Sequence, residues 1–354
     1  MNRSSRAKLR YTDDSRPGIT REGAAPRRFR YRAPDGQVIR APSQLARIAA
    51  LALPPAYRDV WINPDPRGHI QAVGRDGRGR KQYRYHADWV QQRDSEKFDR
   101  MLAFAKVLPR IRRLTSRHLR DSGLTRRKVL ATVVQLLEHT LIRVGNEEYA
   151  RTNKSYGLTT LKRQHVRVRG AEIHFEFKGK SGVRHEIEVR NPRLAAIVRK
   201  CQELPGQEIF EYLDETGKRR DVKSNDVNDY LREASGGDFS AKDYRTWAGT
   251  LLAAQALRAY RSFSSQTEAK RQVLEAIESV ARRLGNTRSV CRKCYIHPQI
   301  LEMHMSRPLE KVLRTKARRL LRRDLAKLSR DEAAIVALLE RGGRSGARPS
   351  ISRA

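Results

Sequence analysis

Three short runs, His165-Val166-Arg167-Val168-Arg169, Ile173-His174-Phe175-Glu176-Phe177 and Arg184-His185-Glu186-Ile187-Glu188-Val189, alternate apolar and polar side chains with a period of two. Successive side chains of a β-strand point to opposite faces, so this alternation predicts half-buried strands. The bends between them hold Gly170, and then Gly179 and Gly182, residues that turn a chain at little steric cost. The stretch therefore predicts a three-stranded antiparallel meander whose second bend carries a lysine, Lys180.

Helical patterns flank this sheet. Upstream, Val129, Leu130, Val133, Val134, Leu137 and Leu141 recur at the spacing of one helix face, which ends at Arg143. Downstream, helices are expected from Ser224 and from Ser240. In Ser240-Ala241-Lys242-Asp243 a serine precedes an acidic residue by three places, the form of a capping box, and this box opens a helix through Leu257. Val273, Ile277, Val280 and Leu284 share a face of another helix, which stops at Gly285. Ser289 to Tyr295 predicts a short helix before Pro298. Two basic amphipathic segments follow, the last opened by a second capping box, Ser329-Arg330-Asp331-Glu332.

Toward the N-terminus the texture changes near residue 90. Phe29 to Arg32 and Gln37 to Arg40 flank Pro34-Asp35-Gly36, which predicts a hairpin. Val60-Trp61-Ile62 and Gly68 to Val73, joined by Asn63-Pro64-Asp65-Pro66, predict a second strand pair, and Lys81 to Tyr85 one more strand. The expected architecture is α+β: a basic flexible arm over 1–24, a small β-rich domain over 25–90, a mainly α-helical domain with the three-stranded sheet over 91–341, and a basic flexible tail over 342–354.

Charge narrows the partner. Lys and Arg number 75 against 39 Asp and Glu, a formal net charge of +36 on 354 residues. Such an excess repels itself unless the chain meets a polyanion, and nucleic acid is the commonest one. Three cysteines, an odd and sparse set, cannot build a disulfide framework, which points to a reducing, cytoplasmic setting. The N-terminus lacks the apolar stretch of a secretory signal, and no apolar run reaches the roughly 18 residues of a membrane span. No membrane partner is expected.

Phosphodiester cleavage by a side chain needs a nucleophile, cations on the nonbridging oxygens and an acid for the leaving oxygen. The sequence has no dense Asp/Glu cluster to hold magnesium, whereas the arginine fork matches phosphate geometry. Cys291, Cys294 and His297 are too few for a structural zinc, which normally takes four ligands. Gly74-Arg75-Asp76-Gly77-Arg78-Gly79 lacks the Lys-Ser/Thr that a P-loop requires. No metal, ATP or other small-molecule cofactor is expected.

Several blocks resemble one family. Arg143-Val144-Gly145-Asn146-Glu147-Glu148-Tyr149 with Tyr156-Gly157-Leu158-Thr159-Thr160-Leu161 resembles the first arginine block of type IB DNA topoisomerases of the poxviral and bacterial kind. Phe177-Lys178-Gly179-Lys180 resembles their lysine hairpin, and Lys242-Asp243-Tyr244-Arg245-Thr246 their second arginine block. Leu284-Gly285-Asn286-Thr287 with Tyr295 resembles the block of the active tyrosine, and Gly79 to Tyr85 the strand that touches the DNA groove. The resemblance covers residues 29 to 300 in the family's order.

It implies a monomer that clamps duplex DNA and relaxes supercoils without ATP or metal. Tyr295 would form a 3′-phosphotyrosyl bond, Lys180 would protonate the 5′ oxygen, and Arg143, Arg245 and Asn286 would hold the phosphate. Arg80, Lys81, Gln82, Tyr83, Tyr85, Tyr149 and Lys242 would contact DNA. Many relatives carry His where this chain has Asn286, which exchanges a titratable donor for a neutral one. Taken singly each residue has an ordinary reading: a packing tyrosine, surface ion-pair arginines, a solvated turn lysine, strand residues packed on a sheet. Tyrosine recombinases share the covalent chemistry but usually place His three residues before the second arginine, where this chain has Lys242. A noncatalytic nucleic-acid binder is the remaining alternative.

Overall fold

The computed structural model describes residues 9–23, 29–77, 79–306, 309 and 328–344. The chain divides into two compact units, residues 1–98 and 99–354.

The first unit is a five-stranded antiparallel sheet of β1 (Ile19–Glu22), β2 (Arg30–Arg32), β3 (Arg58–Ile62), β4 (Ile70–Arg75) and β5 (Lys81–Tyr85), in the order β2-β1-β3-β4-β5. The turn at Pro34-Asp35-Gly36 forms as expected, but its second arm contributes only a bridge from Val38 to Arg32. After it comes α1 (Pro42–Ala50), with Pro42 at its first turn, where a missing amide proton is harmless. Ile48 of α1 joins Ile19, Ile39, Val60, Ile62 and Ala72 in one apolar core.

The basic segment expected to be a free arm includes β1. Ile19 there is buried and pairs with Ile62, so the strand is tied to the sheet by both core and ladder. Gly18 admits this docking: a Cβ on it would lie 2.0 Å from Trp61 Nε1, which instead donates to the Arg16 carbonyl at 2.9 Å. Residues 1–8 and 24 of that arm, and 345–354 of the basic tail, lie outside the described residues, while 342–344 continue the last helix.

The second unit is mainly helical. The 32-residue α2 (Ala87–His118) begins in the first unit and, in the second, presents Met101, Phe104, Ala105, Leu108 and Ile111 as one buried face, despite Pro109 within it. α3 (Arg126–Thr140) starts at Thr125, whose side chain accepts from the Lys128 amide, and is buried on nearly every side. Truncating its fully buried Leu130 to alanine would cost about 2–5 kcal/mol. α4 (Glu147–Asn153) precedes the meander β6 (Val166–Arg169), β7 (Glu172–Lys178) and β8 (Arg184–Arg190), antiparallel in the order β6-β7-β8. Ile173, Phe175 and Phe177 form its inward face.

α5 (Pro192–Glu203) and the two-stranded β9 (Glu211–Leu213) and β10 (Arg219–Asp221) follow. Then come α6 (Ser224–Ser235), α7 (Ala241–Arg258), α8 (Gln266–Leu284), α9 (Arg288–Cys294), α10 (Pro298–Ser306) and α11 (Arg330–Arg344). The two capping boxes form: Asp243 accepts from the Ser240 amide at 2.8 Å and Glu332 from the Ser329 amide at 2.8 Å. α8 ends on Gly285 in the left-handed conformation. Glu332 also ties α11 to α2 through two bonds from Arg112, 2.8 and 3.0 Å long. No helix among the described residues is long and apolar enough to cross a membrane.

Candidate active site

Four of the five residues expected at the reaction centre meet in two pairs, Arg143 with Asn286 and Arg245 with Tyr295, and the two arginines line one cleft with the fifth, Lys180. Arg143 lies in the loop after α3, where Leu141 takes a left-handed turn that ends the helix. The loop is clamped by the Gly157 segment: the Leu158 amide donates to the Arg143 carbonyl at 2.9 Å and the Thr159 amide to Val144 at 2.7 Å. A Cβ on Gly157 would sit 2.5 Å from the Arg143 carbonyl oxygen, so the close approach requires glycine. Gly145 has φ +115°, again glycine territory. Asn146 then caps α4 by accepting from the Tyr149 amide at 2.9 Å. The block is thus a device for fixing one guanidinium.

Arg245 sits one turn into α7 and is 5 % exposed. Its guanidinium donates to the Leu141 carbonyl and, at 2.7 Å, to the Leu284 carbonyl. These are the C-terminal ends of α3 and α8, where unpaired carbonyls and the helix dipoles attract a cation. The same guanidinium lies 5.5 Å from the centre of the Tyr295 ring. Arg143 donates to Asn286 Oδ1 at 2.7 Å. Because arginine can only donate, the amide oxygen must face it, which leaves Asn286 Nδ2 turned away as a donor. Asn286 Nδ2 and Arg245 Nε are both buried without an acceptor among the described residues. Buried donors left unpaired cost about 1–3 kcal/mol each, and a bound acceptor would remove that cost.

Tyr295 is the C-terminal cap of α9, half-buried, with its amide bonded to Cys291 at 3.0 Å. Its backbone is pinned to α7. Thr250 Oγ1 donates to the Tyr295 carbonyl at 3.1 Å and accepts from the His297 amide at 3.0 Å. A Cβ on Gly249 would lie 2.7 Å from that carbonyl oxygen, so α7 can approach only through a glycine. Sequence reasoning did not single out Gly249 or Thr250; both lie one helical turn beyond Arg245 on the same helix.

Lys180 lies at the β7–β8 bend, exposed at the edge of a cleft that Arg143, Arg245 and His185 also line. Ser181 at φ 63° and Gly182 at φ 79° make the reversal. The imidazole of His185, not anticipated from the sequence, stacks on Phe177 with ring centroids 5.1 Å apart.

Burial, then repulsion from Arg245, lowers the proton affinity of Arg143, and burial does the same for Arg245. Arginine nonetheless stays charged at any physiological pH. Burial, then the two arginines, pulls the His185 imidazole below its ordinary value and favours the neutral ring. Burial pushes the Cys291 thiol up to about 11, so it stays neutral beside the cations. Among the described residues no three His, Cys, Asp or Glu side chains cluster as a metal site would require.

The residues expected to contact DNA are exposed on each unit, except the half-buried Gln82. In the first unit, β5 is an edge strand whose Tyr83 and Tyr85 are exposed and stacked, centroids 6.1 Å apart. Lys81 pairs with Asp14 at 2.6 Å and lies over Tyr83, while Arg80 and Gln82 both bond to Asp76. In the second unit, Tyr149 on α4 and Lys242 in the first turn of α7 are exposed.

A family model described as the catalytic core of eukaryotic DNA topoisomerase I matches residues 86–321. A second, described as the N-terminal domain of bacterial DNA topoisomerase IB, matches residues 28–76. The chain is 33 % identical over 298 residues to the DNA topoisomerase 1B of Acanthamoeba polyphaga mimivirus, covering 82 % of this chain and 88 % of that protein. It is 26 % identical over 250 residues to the DNA topoisomerase 1B of Vaccinia virus (strain Copenhagen), covering 70 % and 76 %. With two arginines, an asparagine and a tyrosine gathered where the shared blocks meet, the chain belongs to the type IB DNA topoisomerases, in the branch of the poxviral and bacterial enzymes.

Proposed function

We propose that the enzyme relaxes supercoiled duplex DNA by transient cleavage of one strand through Tyr295. The phenol oxygen forms a bond to the scissile phosphorus as the bond from phosphorus to the 5′ oxygen breaks. The phenolic proton goes to solvent and an ammonium proton of Lys180 to the departing 5′ oxygen. The intermediate is a 3′-phosphotyrosine, and the strand rotates before its 5′ hydroxyl attacks that ester and expels the phenol. The ester keeps the energy of the broken bond, so neither ATP nor a metal ion takes part.

The observation that carries this reading is the pair of buried, acceptor-free donors, Arg245 Nε and Asn286 Nδ2, beside a tyrosine ring 5.5 Å from a guanidinium. A phosphate gaining charge in a pentacoordinate transition state supplies the missing acceptors. Arg143 and Arg245 hold its nonbridging oxygens, and Asn286 adds one neutral bond. Most of the affinity comes from phosphate contacts by Lys and Arg, so binding falls steeply with salt. The exposed tyrosines and Lys81 of β5, with Tyr149 and Lys242 of the second unit, add contacts along the duplex. The enzyme acts as a monomer in the cytoplasm, on chromosomal DNA. The test is relaxation of a supercoiled plasmid in EDTA without ATP: it proceeds with the wild-type chain and stops in Tyr295→Phe. A requirement for magnesium and ATP, or undiminished relaxation by Tyr295→Phe, overturns the reading.

A further inference from the structure

Lys180 raises a physical problem that its neighbours solve. Residues 180–184 are all exposed, and the turn is closed only by Gly179 and Val183 across its neck and by Gly182 to Gly179. A lysine on such a turn has about four rotatable side-chain bonds, and no hydrogen bond to a described residue aims it. Proton donation to a leaving oxygen requires placement to within an ångström or so.

Just below the turn stands His185, opposite Phe177 in the β7–β8 register. Its ring is wedged between two glycines. A Cβ on Gly179 would lie 2.6 Å from His185 Cδ2, and a Cβ on Gly285 would lie 2.5 Å from Cε1. Gly179 immediately precedes Lys180, and Gly285 immediately precedes Asn286. One face of the imidazole is stacked on Phe177. No hydrogen bond to a described residue holds the ring, so it is located by shape alone. The ring thereby spans the gap between the hairpin neck and the end of α8, the two pieces of backbone that carry the proton donor and a phosphate ligand.

We propose that His185 is a positioning residue: its ring is the spacer that sets Lys180 at a fixed distance from the phosphate site built on Arg143, Arg245 and Asn286. The inference rests on the role given to Lys180 above. It accounts for Gly179, whose φ of −94° any residue could adopt and which is therefore required by contact rather than by backbone geometry. Any side chain at 179 would push the ring aside. The two arginines are anchored elsewhere, Arg245 on the carbonyl ends of α3 and α8 and the Arg143 backbone on the Gly157 segment.

The experiment compares single-turnover cleavage of two duplexes, one with an ordinary 5′ oxygen at the scissile bond and one with sulfur in that bridging position. An alkoxide needs a proton to leave, whereas a thiolate, whose conjugate acid has a pKa of about 8.5, leaves unaided. His185→Ala slows the oxygen substrate on the order of 10- to 100-fold, the cost of a displaced catalytic group. It leaves the sulfur substrate within about threefold of wild type, since that bond needs no acid. Gly179→Ala, whose Cβ would lie 2.6 Å from His185 Cδ2 and only at ordinary contact distance from Phe177, gives the same oxygen-selective loss. The double variant is no worse than His185→Ala, because the clash has gone with the ring. Equal losses on both substrates, or no loss on either, overturn the proposal. Lys180→Ala is the control that separates the two claims. If Lys180→Ala regains speed on sulfur and the His185 and Gly179 variants do not, only the spacer role fails. If Lys180→Ala stays slow on sulfur, the acid role of Lys180 fails and takes the spacer with it.

Discussion

Arg245 and Lys180 open onto one cleft from opposite structural extremes. Arg245 lies inside α7, 5 % exposed, with Nη1 and Nη2 each bonded to the carbonyl end of another helix and Nε without a partner among the described residues. Lys180 tops a two-strand turn and is open to solvent. The contrast teaches how the two tasks divide. A group that stabilises charge on phosphate works best when fixed beforehand in a low-dielectric setting, because it then reorganises little during the reaction. A group that delivers a proton to a leaving oxygen must reach into a DNA groove and gains from standing clear of the core. On the proposed mechanism the helical side combines catalysis with folding, whereas the hairpin tip serves catalysis.

That division can be broken experimentally. The largest effect is expected at the hairpin: Lys180→Ala slows strand cleavage on the order of 100- to 10,000-fold. Because the residue is exposed, the unfolding free energy stays within about 0.5 kcal/mol of wild type. Rapid-quench cleavage and chemical denaturation read the two quantities side by side; a marked loss of stability would erase the distinction.

Arg245→Ala slows cleavage on the order of 100- to 1000-fold. It also destabilises, because the Leu141 and Leu284 carbonyls lose their donor at about 1–3 kcal/mol for each buried group left unpaired. Arg245→Lys does not restore both properties, since one ammonium cannot span two carbonyls and a phosphate in the geometry of the fork. Full recovery of rate and stability in Arg245→Lys would show that charge alone matters there.

A smaller change is expected at Asn286. The residue must accept from Arg143 and donate outward. A neutral imidazole does both with its two nitrogens, so Asn286→His keeps the cleavage rate within about tenfold, the scale of one hydrogen bond. It adds an acidic limb to the pH profile, where protonation removes the acceptor. A flat profile in this variant would mean that the ring makes neither contact.

The smallest effect concerns stability against pH. The imidazole of His185 has its folded pKa depressed by burial, Arg143 and Arg245, so the unfolded chain takes up a proton before the folded one does. Its contribution to stability is full above its ordinary value near 6.5 and is lost as pH falls from there toward the folded value. From pH 7 to pH 5 the melting temperature of the wild type should fall relative to that of His185→Phe, because only the wild type loses this contribution. Parallel curves would exclude the linkage.

The meander was legible because alternation and glycine placement are local signals, and so were the capping boxes at Ser240 and Ser329. The first arginine block could be recognised, though its purpose lay in a contact: Gly157 under the Arg143 carbonyl, seen only when two distant segments meet. α2 was obscured even though Met101, Phe104, Ala105, Leu108 and Ile111 hold helical spacing, because Pro109 and many charges dilute the stripe. β1 was hidden in a basic segment, where a single buried isoleucine and the cross-strand ladder decide the structure. The burial of Arg245, the close passage of Gly249 beside Tyr295 and the wedging of His185 all depend on packing between segments far apart in sequence. No local pattern encodes such contacts.

The most direct measurement is to trap the cleaved state on a duplex carrying radiolabel just 5′ to the scissile bond, denature it, digest it and sequence the labelled peptide. The mechanism predicts one peptide, with label on Tyr295 through a 3′ phosphate, formed in EDTA and absent from Tyr295→Phe. Label on another residue, attachment through a 5′ phosphate, or a covalent product persisting in Tyr295→Phe would contradict it.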